Sequence, residues 1–413
     1  MVQIAKTHPK HHCGDPGCVI CSQIDRMFKN VQVLEKDFDG TSPPQVFIGS
    51  KLEYPKINVG ILSPGDKNEM AWLYNDQKFW HEQGYNIKQI MHLRSSLVNS
   101  RFRTKVDEVQ EGGRFLDISQ EIGMAYKPVE VEIGLKKKPR SRVNYEQVSL
   151  PMGPSGSLEK AKITANTKIH TKVDKVVSDT DLKSVDALSY LSQRGFDENV
   201  LSQLLSVGVL GVKKNRKLVP TRFSITAVDD TLGKQIINEI KRYPSIDDYR
   251  LYMGNYLGNY YFIMLFPDVW GYELFEGYIP GSFWNPDTLI KWSTDCEDYK
   301  GRTSYVSETS GGYFAARTGI LEELRRIRRQ ARIVCVRFET PEYYMGLGVF
   351  VVRNASRNAM NSKPVIFDNQ EEMLQYAKDL ILNKFKYDIS RVLQRSVLLQ
   401  EMKQQKKLSQ YFS

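Results

Sequence analysis

Tyr260-Tyr261-Phe262-Ile263-Met264-Leu265-Phe266 is the stretch that decides the fold. It is dense in aromatics and β-formers. Such a run reads as a core strand. The density of β-formers persists across residues 250–283, which are read as core strands. Residues 333–338 (Ile-Val-Cys-Val-Arg-Phe) and 348–352 (Gly-Val-Phe-Val-Val) continue the strand pattern. A helix is predicted between the two groups, over residues 314–331. A last helical region spans 370–403.

Upstream, residues 45–49 and 56–62 read as two short strands, punctuated by Gly49, Gly60 and the Ser63-Pro64-Gly65 corner. Residues 76–99 have helical spacing at Tyr85, Ile87, Ile90, Met91 and Leu97. Residues 178–211 read as two short helices, with Ser178 and Asp181 as a capping-box variant and Gly195 as a stop. Strands and helices intermix without βα alternation, so the expected class is α+β: a mixed sheet core with helices. The turn-rich stretch 37–44, the basic loop 134–142 and the small-residue run 152–157 are read as connectors. Four parts follow: a zinc-binding segment at 1–25, folded domains at 37–285 and 290–400, and a flexible tail at 404–413.

The 413 residues are 41% hydrophobic and 26% charged, which excludes collagen, a mostly disordered chain and a disulfide miniprotein. No apolar run approaches the roughly 20 residues that span a bilayer, and the N-terminus has no signal-peptide core. The expectation is a cytoplasmic protein with no membrane partner. Lysine and arginine total 58 against 48 acidic residues, a net charge of +10. That excess favours a nucleic-acid partner, because cations release counterions from phosphates, although a basic surface alone also accounts for it.

Of five cysteines, Cys13, Cys18 and Cys21 crowd the N-terminus, whereas Cys296 and Cys335 stand apart. The pattern His8-x-x-His11-His12-Cys13-x-x-x-x-Cys18-x-x-Cys21 supplies thiolates and imidazoles for tetrahedral zinc, and Gly14, Pro16 and Gly17 provide a tight turn. Three thiolates with His11, or with His8, would close the site; His12 abuts Cys13 and would strain a joint chelate. The bland alternative is a tail with clustered thiols.

Two basic segments could meet phosphates. Lys213, Lys214, Arg216, Lys217 and Arg222 lie in a loop that leads into a short alternating strand, with Thr221, Ser224 and Thr226 as hydroxyl donors. The segment ends on Asp229 and Asp230, which could hold a divalent metal or begin the next helix. In the helix at 314–331, Ile320, Leu324, Ile327 and Ala331 form the apolar stripe, and Arg325, Arg328, Arg329 and Arg332 lie off it. That face could track a phosphate backbone, or be solvated with pairs such as Glu322 to Arg326. Gly311-Gly312 would let a ligand phosphate approach the helix start. The cluster Asp295, Glu297 and Asp298 could serve a metal-dependent nuclease, the alternative functional class. No motif fixes a nucleophile or a general base, and Trp270, Glu273 and Glu276 read equally well as structural.

At the C-terminus, Gln405-x-x-Leu408-x-x-Tyr411-Phe412 places three apolar prongs on one helical turn, suited to a greasy pocket on a partner. The bland alternative is a frayed end tucked onto its own core. The spacing resembles the peptide by which clients bind the PCNA sliding clamp.

Several stretches together resemble the archaeal Nre family of DNA repair proteins. They are residues 44–49 followed by 54–60, 217–230, 311–317 (Gly-Gly-Tyr-Phe-Ala-Ala-Arg), 328–331 and 346–350. The resemblance implies a part in repair of DNA damage, attachment to the sliding clamp and an N-terminal zinc finger. The family's usual knuckle has four cysteines. Here Cys13-Gly14 to Cys18 matches its second element, the upstream Cys-x-x-Cys pair is missing, His8 and His11 stand in its region, and Cys21 is added downstream. The resemblance supplies no active site.

The zinc reading predicts about one zinc per chain, because a structural site supplies about 10 kcal/mol or more to a segment with no core of its own. Elemental analysis of the purified protein checks it. Metal content should fall when Cys18→Ser and Cys21→Ser are combined; unchanged content would refute the assignment.

Overall fold

The computed structural model describes residues 35–50, 53–139 and 146–404. The chain is α+β and divides into two compact units. The first runs to Leu232 and takes in Met345–Phe350; the second comprises Gly233–Tyr344 and the chain from Val351 on. The division between these units falls at Leu232/Gly233, inside a long helix, and residues 249–278 pair into the second unit's sheet.

The first unit is built on a six-stranded sheet of order β1-β5-β6-β4-β3-β2. Its strands are β1 (Asp37–Ser42), β2 (Val46–Ile48), β3 (Lys56–Ser63), β4 (Val98–Lys105), β5 (Val129–Leu135) and β6 (Ser155–Ile163). Every pairing is antiparallel except β4 with β6. The helices are α1 (Gln77–Glu82), α2 (Ile87–Ser95), α3 (Arg114–Met124), α4 (Thr171–Ser178), α5 (Ser184–Ser192), α6 (Glu198–Ser206) and the start of α7 (Thr221–Ile240). Ile57, Val59 and Ile61 of β3, Val131 and Ile133 of β5, and Leu201 and Leu204 of α6 belong to one buried core.

The second unit's sheet has the order β10-β9-β11-β8-β7-β12. The strands are β7 (Tyr249–Tyr256), β8 (Asn259–Phe266), β9 (Gly271–Tyr278), β10 (Lys291–Glu297), β11 (Arg332–Glu339) and β12 (Val365–Phe367). Only β9 and β11 run parallel. The helices are α8 (Ser310–Ile327), α9 (Val349–Met360), α10 (Gln370–Phe385), α11 (Ser390–Leu393) and α12 (Val397–Gln404). Strand alternation gives the sheet two chemically different faces. Phe262, Met264, Phe266, Val334, Val336 and Phe338 pack on Met373, Ala377 and Ile381 of α10 and on Leu398 and Leu399 of α12. Phe338 stacks on Phe385 at 4.4 Å. The opposite residues are Tyr261, Tyr272, Glu276, Cys335, Arg337 and Glu339, all buried. Here Tyr313 of α8 packs on Tyr272 at 4.9 Å.

Several local expectations give way to tertiary pairing. Residues 37–42 form β1, not a link: the backbone completes the ladder with β5, although Phe38 is its one large apolar side chain. Ser155–Ile163 is β6, and Gly153 packs where a Cβ would stand 2.3 Å from the Ser95 carbonyl oxygen. The apolar run at 349–352 is the start of α9; buried on all sides there, it shows neither period. Ser178 ends α4, and α5 begins at Ser184. The helical stretch 76–99 is two helices, with Asp76 accepting from Phe79 N–H and an Asn86/Gln89 capping box, and it stops before β4. The C-terminal helical region breaks at Lys386, which is left-handed at φ 55°.

β7 and β8 are joined by Leu257-Gly258, with φ of 46° and 78°, the two-residue turn that matches strand twist. A Cβ on Gly258 would also lie 2.5 Å from the Tyr343 backbone nitrogen. Gly258→Ala should therefore destabilise the protein by about 1–3 kcal/mol. A lowered urea midpoint with the slope unchanged is the expected reading.

Candidate nucleic-acid interface

In the second unit, three chain segments that end core elements come together. The end of α7 runs into Lys241-Arg242-Tyr243. The end of α8 runs into Arg328, which takes the left-handed conformation (φ 54°, ψ 52°) and donates its N–H to the Arg325 and Leu324 carbonyls. Gln330 laces the two together. Its side-chain amide donates to the Tyr243 carbonyl at 2.7 Å and its backbone N–H to the Pro244 carbonyl at 3.0 Å. Its side-chain oxygen accepts from Trp270 N–H at 3.1 Å. The Arg328 guanidinium lies 5.6 Å from the Tyr243 ring centre, and Lys241 Nζ lies 4.7 Å from that of Tyr299, just past β10. Arg242, Tyr299, Lys300, Arg325 and Arg328 are exposed.

The loop carrying Tyr299 is held at both ends by one ion pair. Asp295 accepts from the backbone N–H groups of Ser307, Glu308 and Thr309, each at 2.9 Å, and from the Ser307 and Thr309 hydroxyls. Burial pushes the Asp295 carboxyl up, but these donors outweigh it and hold the pKa below the ordinary aspartate range. Arg302 faces Asp295 at 3.3 Å and donates to the carbonyls of Cys296, Ser304 and Tyr305. Glu297 pairs with Arg317 at 2.8 Å, both buried, and Asp298 accepts from Lys300 N–H. The carboxylates read as a possible metal cluster thus have structural partners. Among the described residues, no group of three or more His, Cys, Asp or Glu side chains is placed to hold a metal ion.

Within the second unit's sheet, Arg337 of β11 pairs with Glu276 and, at 3.1 Å, with Glu339, and donates to Asn259. Glu276 also accepts from Tyr278 Oη at 3.0 Å. A Cβ on Gly312 would meet Glu276 Oε1 at 2.7 Å. The anion beside the start of α8 therefore belongs to the chain itself, in the place where a ligand phosphate is expected from Gly311-Gly312. Glu273 accepts from the Val397 and Leu398 N–H groups and caps α12. Burial pushes the Glu339 carboxyl up to about 7, against the opposing pull of Arg337.

The other predicted residues fall as follows. α8 ends at Ile327, four residues short of the expected end, so Arg325 lies on the helix, Arg328 and Arg329 lie past its end, and Arg332 is buried in β11. Arg326 pairs with Glu323, and Glu322 with Arg357. In the first unit, Lys213 and Lys214 are exposed on a 3-10 turn, and Lys217 is exposed beyond it. Arg216 turns inward to the carbonyls of Gly211, Val177 and Asp179. The expected strand at 221–230 is helical. Ser224 and Thr226 donate to their own helix backbone, and Thr221 accepts from Ile48 N–H. Asp229 and Asp230 lie inside α7, not at its start, and Asp229 is buried. Arg222 lies 5.4 Å from the Phe223 ring centre. The zinc set Cys13, Cys18, Cys21 and His11, and the clamp set Gln405, Leu408, Tyr411 and Phe412, lie outside the described residues, as do Arg140 and Arg142. Sequence reasoning misses Lys241, Arg242, Tyr243, Tyr299 and Lys300; the available signal is a Lys-Arg-Tyr triplet directly after a helix and an aromatic beside a lysine.

The fold and this face define an α+β protein with a basic, aromatic surface suited to a polyanion. The chain belongs to the archaeal Nre family: the model described as "Archaeal Nre, N-terminal" matches residues 12–285, and "Archaeal Nre, C-terminal" matches 297–411. It is 37% identical to the DNA repair protein NreA of Haloferax volcanii, over 82% of this chain and 81% of that protein. It is 36% identical to the DNA repair protein NreA of Archaeoglobus fulgidus (93% and 95% covered) and 35% identical to NreB of the same organism (93% and 94%). No solved structure matches it.

The raised Glu339 pKa sets a sign for pH dependence. Between about pH 4.5 and 7 the folded chain keeps a proton that the unfolded chain has lost, so stability falls as pH rises through that window. The Glu339 contribution is on the order of 1–3 kcal/mol. Glu339→Gln should flatten that part of the profile, as read by urea unfolding on both sides of the window. An unchanged profile would refute the assignment.

Proposed function

We propose that the chain is a DNA repair factor that binds DNA through its basic faces and reaches its substrate by docking on the PCNA sliding clamp. The observation that carries the reading is the match to both Nre family models, together with relatives named as DNA repair proteins over most of the chain. The basic residues support it. In this reading Arg325, Arg328 and Arg329 in the second unit, and Lys213, Lys214, Lys217 and Arg222 in the first, contact phosphates. Arg216 braces the loop from within. In this reading Cys13, Cys18, Cys21 and His11 hold a zinc ion that orders the N-terminal segment. Gln405 bonds at the mouth of the clamp pocket while Leu408, Tyr411 and Phe412 fill it. Among the described residues, no helix is long and apolar enough to cross a membrane.

DNA binding should weaken with salt, and neutral substitutions at Arg325, Arg328 and Arg329 should each lower the salt slope by about one unit. Affinity and slope equal to the parent's would remove this face from the interface. Burial of the tail prongs is worth roughly 1.5–3 kcal/mol each before ordering costs, so clamp affinity should be micromolar. Truncation after Lys403 should abolish clamp binding by titration calorimetry and leave DNA affinity unchanged. Equal clamp binding by the truncated chain would place the contact elsewhere.

A further inference from the structure

We propose that the face formed by Lys241, Arg242, Tyr243, Tyr299, Lys300 and Arg328 is a single-strand track, on which bases of single-stranded DNA stack on Tyr299. The proposal deepens the DNA-binding reading above and rests on it. Its motive is the combination of cations with exposed rings on a fixed loop. Tyr299 is 43% exposed and Tyr305, from the same loop, 54%. Large apolar rings left in water on a braced loop are unusual unless something covers them.

The loop is braced from inside. Asp295 takes up the N–H groups of residues 307–309, and Arg302 takes up the carbonyls of 296, 304 and 305. The rings are therefore presented with little ordering left to lose on binding, which is the condition for stacking to yield affinity. Lys241 lies over the Tyr299 ring and Arg328 over the Tyr243 ring, so each ring has a cation beside it for the phosphates that flank a stacked base. Two nearby carboxylates, both exposed, are hydrogen-bonded at the edge of this face: Asp298 accepts from Lys300 N–H, and Glu239 from the Tyr243 hydroxyl at 2.8 Å.

The geometry favours a single strand over a duplex. In a duplex the base faces are stacked on one another, and a protein reads it by placing an element in a groove. Here the rings come from the segments that follow α7 and β10, not from a helix. Aromatic rings interleaved with Lys and Arg are the pattern for sequence-tolerant binding of unpaired bases.

The test uses the full chain and fluorescence anisotropy with labelled oligo-dT, a duplex of mixed sequence, and oligo-U RNA. Tyr299→Ala should weaken oligo-dT binding about tenfold, with duplex affinity and melting temperature unchanged. Tyr299→Phe keeps the ring and should bind like the parent. Equal losses on oligo-dT and duplex, or no loss on oligo-dT, would overturn the stacking track while leaving general DNA binding intact. Preference for oligo-U over oligo-dT would overturn the choice of DNA. Absence of binding to every probe would overturn the DNA-binding reading and this proposal together.

Discussion

Arg337 lies in a strand that has no solvent on either side. β11 stands between β8 and β9, and all eight of its residues are buried. A guanidinium there is tenable only if its charge and its donors are met, because an unpaired buried cation costs several kcal/mol. Glu276, Glu339 and Asn259 meet it. That requirement shapes what surrounds it. Glu276 occupies the space beside Gly312 where any side chain would collide, so the path of α8 follows from where the carboxylate must be. Burial raises the Glu339 pKa, and the second carboxylate, Glu276, adds to the rise while Arg337 opposes it.

The same logic accounts for the contrast between the sheet's faces. The α10 side is closed by aromatic and aliphatic packing that tolerates volume-conserving exchange. The α8 side is closed by paired charges and tyrosines, where geometry matters more than volume, because a half-satisfied network is worse than an apolar one. Arg317 with Glu297 is a second buried pair, at the end of β10. Asp295 with Arg302 is a third, and it braces the loop that displays Tyr299. Arg302 and Arg317 both lie within 6 Å of the Tyr313 ring centre, at 5.6 and 5.7 Å.

Much of the second sheet is legible in the sequence, because strands buried on both faces leave uninterrupted apolar runs. Residues 260–266 and 333–338 are such runs, and both are strands. The failures occur where a local pattern is ambiguous or absent. Val349–Val352 looks like residues 333–336 in composition, yet it starts a helix; four buried residues carry no period. β1 has almost no apolar signal, since its backbone joins a ladder that β5 already defines. Phe223-Ser224-Ile225-Thr226 alternates by type, but its hydroxyls bond back to their own helix and the alternation carries no information about strand pairing. The candidate carboxylates at 295–298 stand out in the sequence, but the partners they take in the structure do not. Their role depends on Arg302, Arg317 and the N–H groups of 307–309, partners that no spacing rule identifies.

The surface at the ends of α7, α8 and β10 shows why a candidate face is harder to read in the sequence than the core. Its residues are 241–243, 299–300 and 325–329, three short segments with no common motif. Lys241 reaches Tyr299 in the second, and what joins the first and third is Gln330, a neutral side chain that sequence reasoning passes over. Its amide binds the Lys241–Tyr243 backbone while its own backbone pairs with Pro244 and Ile246. Function in α+β proteins concentrates in segments that end rigid elements, because the scaffold then fixes what the loop presents. Here each segment begins within three residues of such an end. Arg328 adopts a left-handed backbone that few non-glycine residues take, and this places its guanidinium over Tyr243 instead of continuing the helix. A glycine would end the helix with less strain. That the position carries an arginine argues that the side chain, and not the turn alone, sets what this surface does.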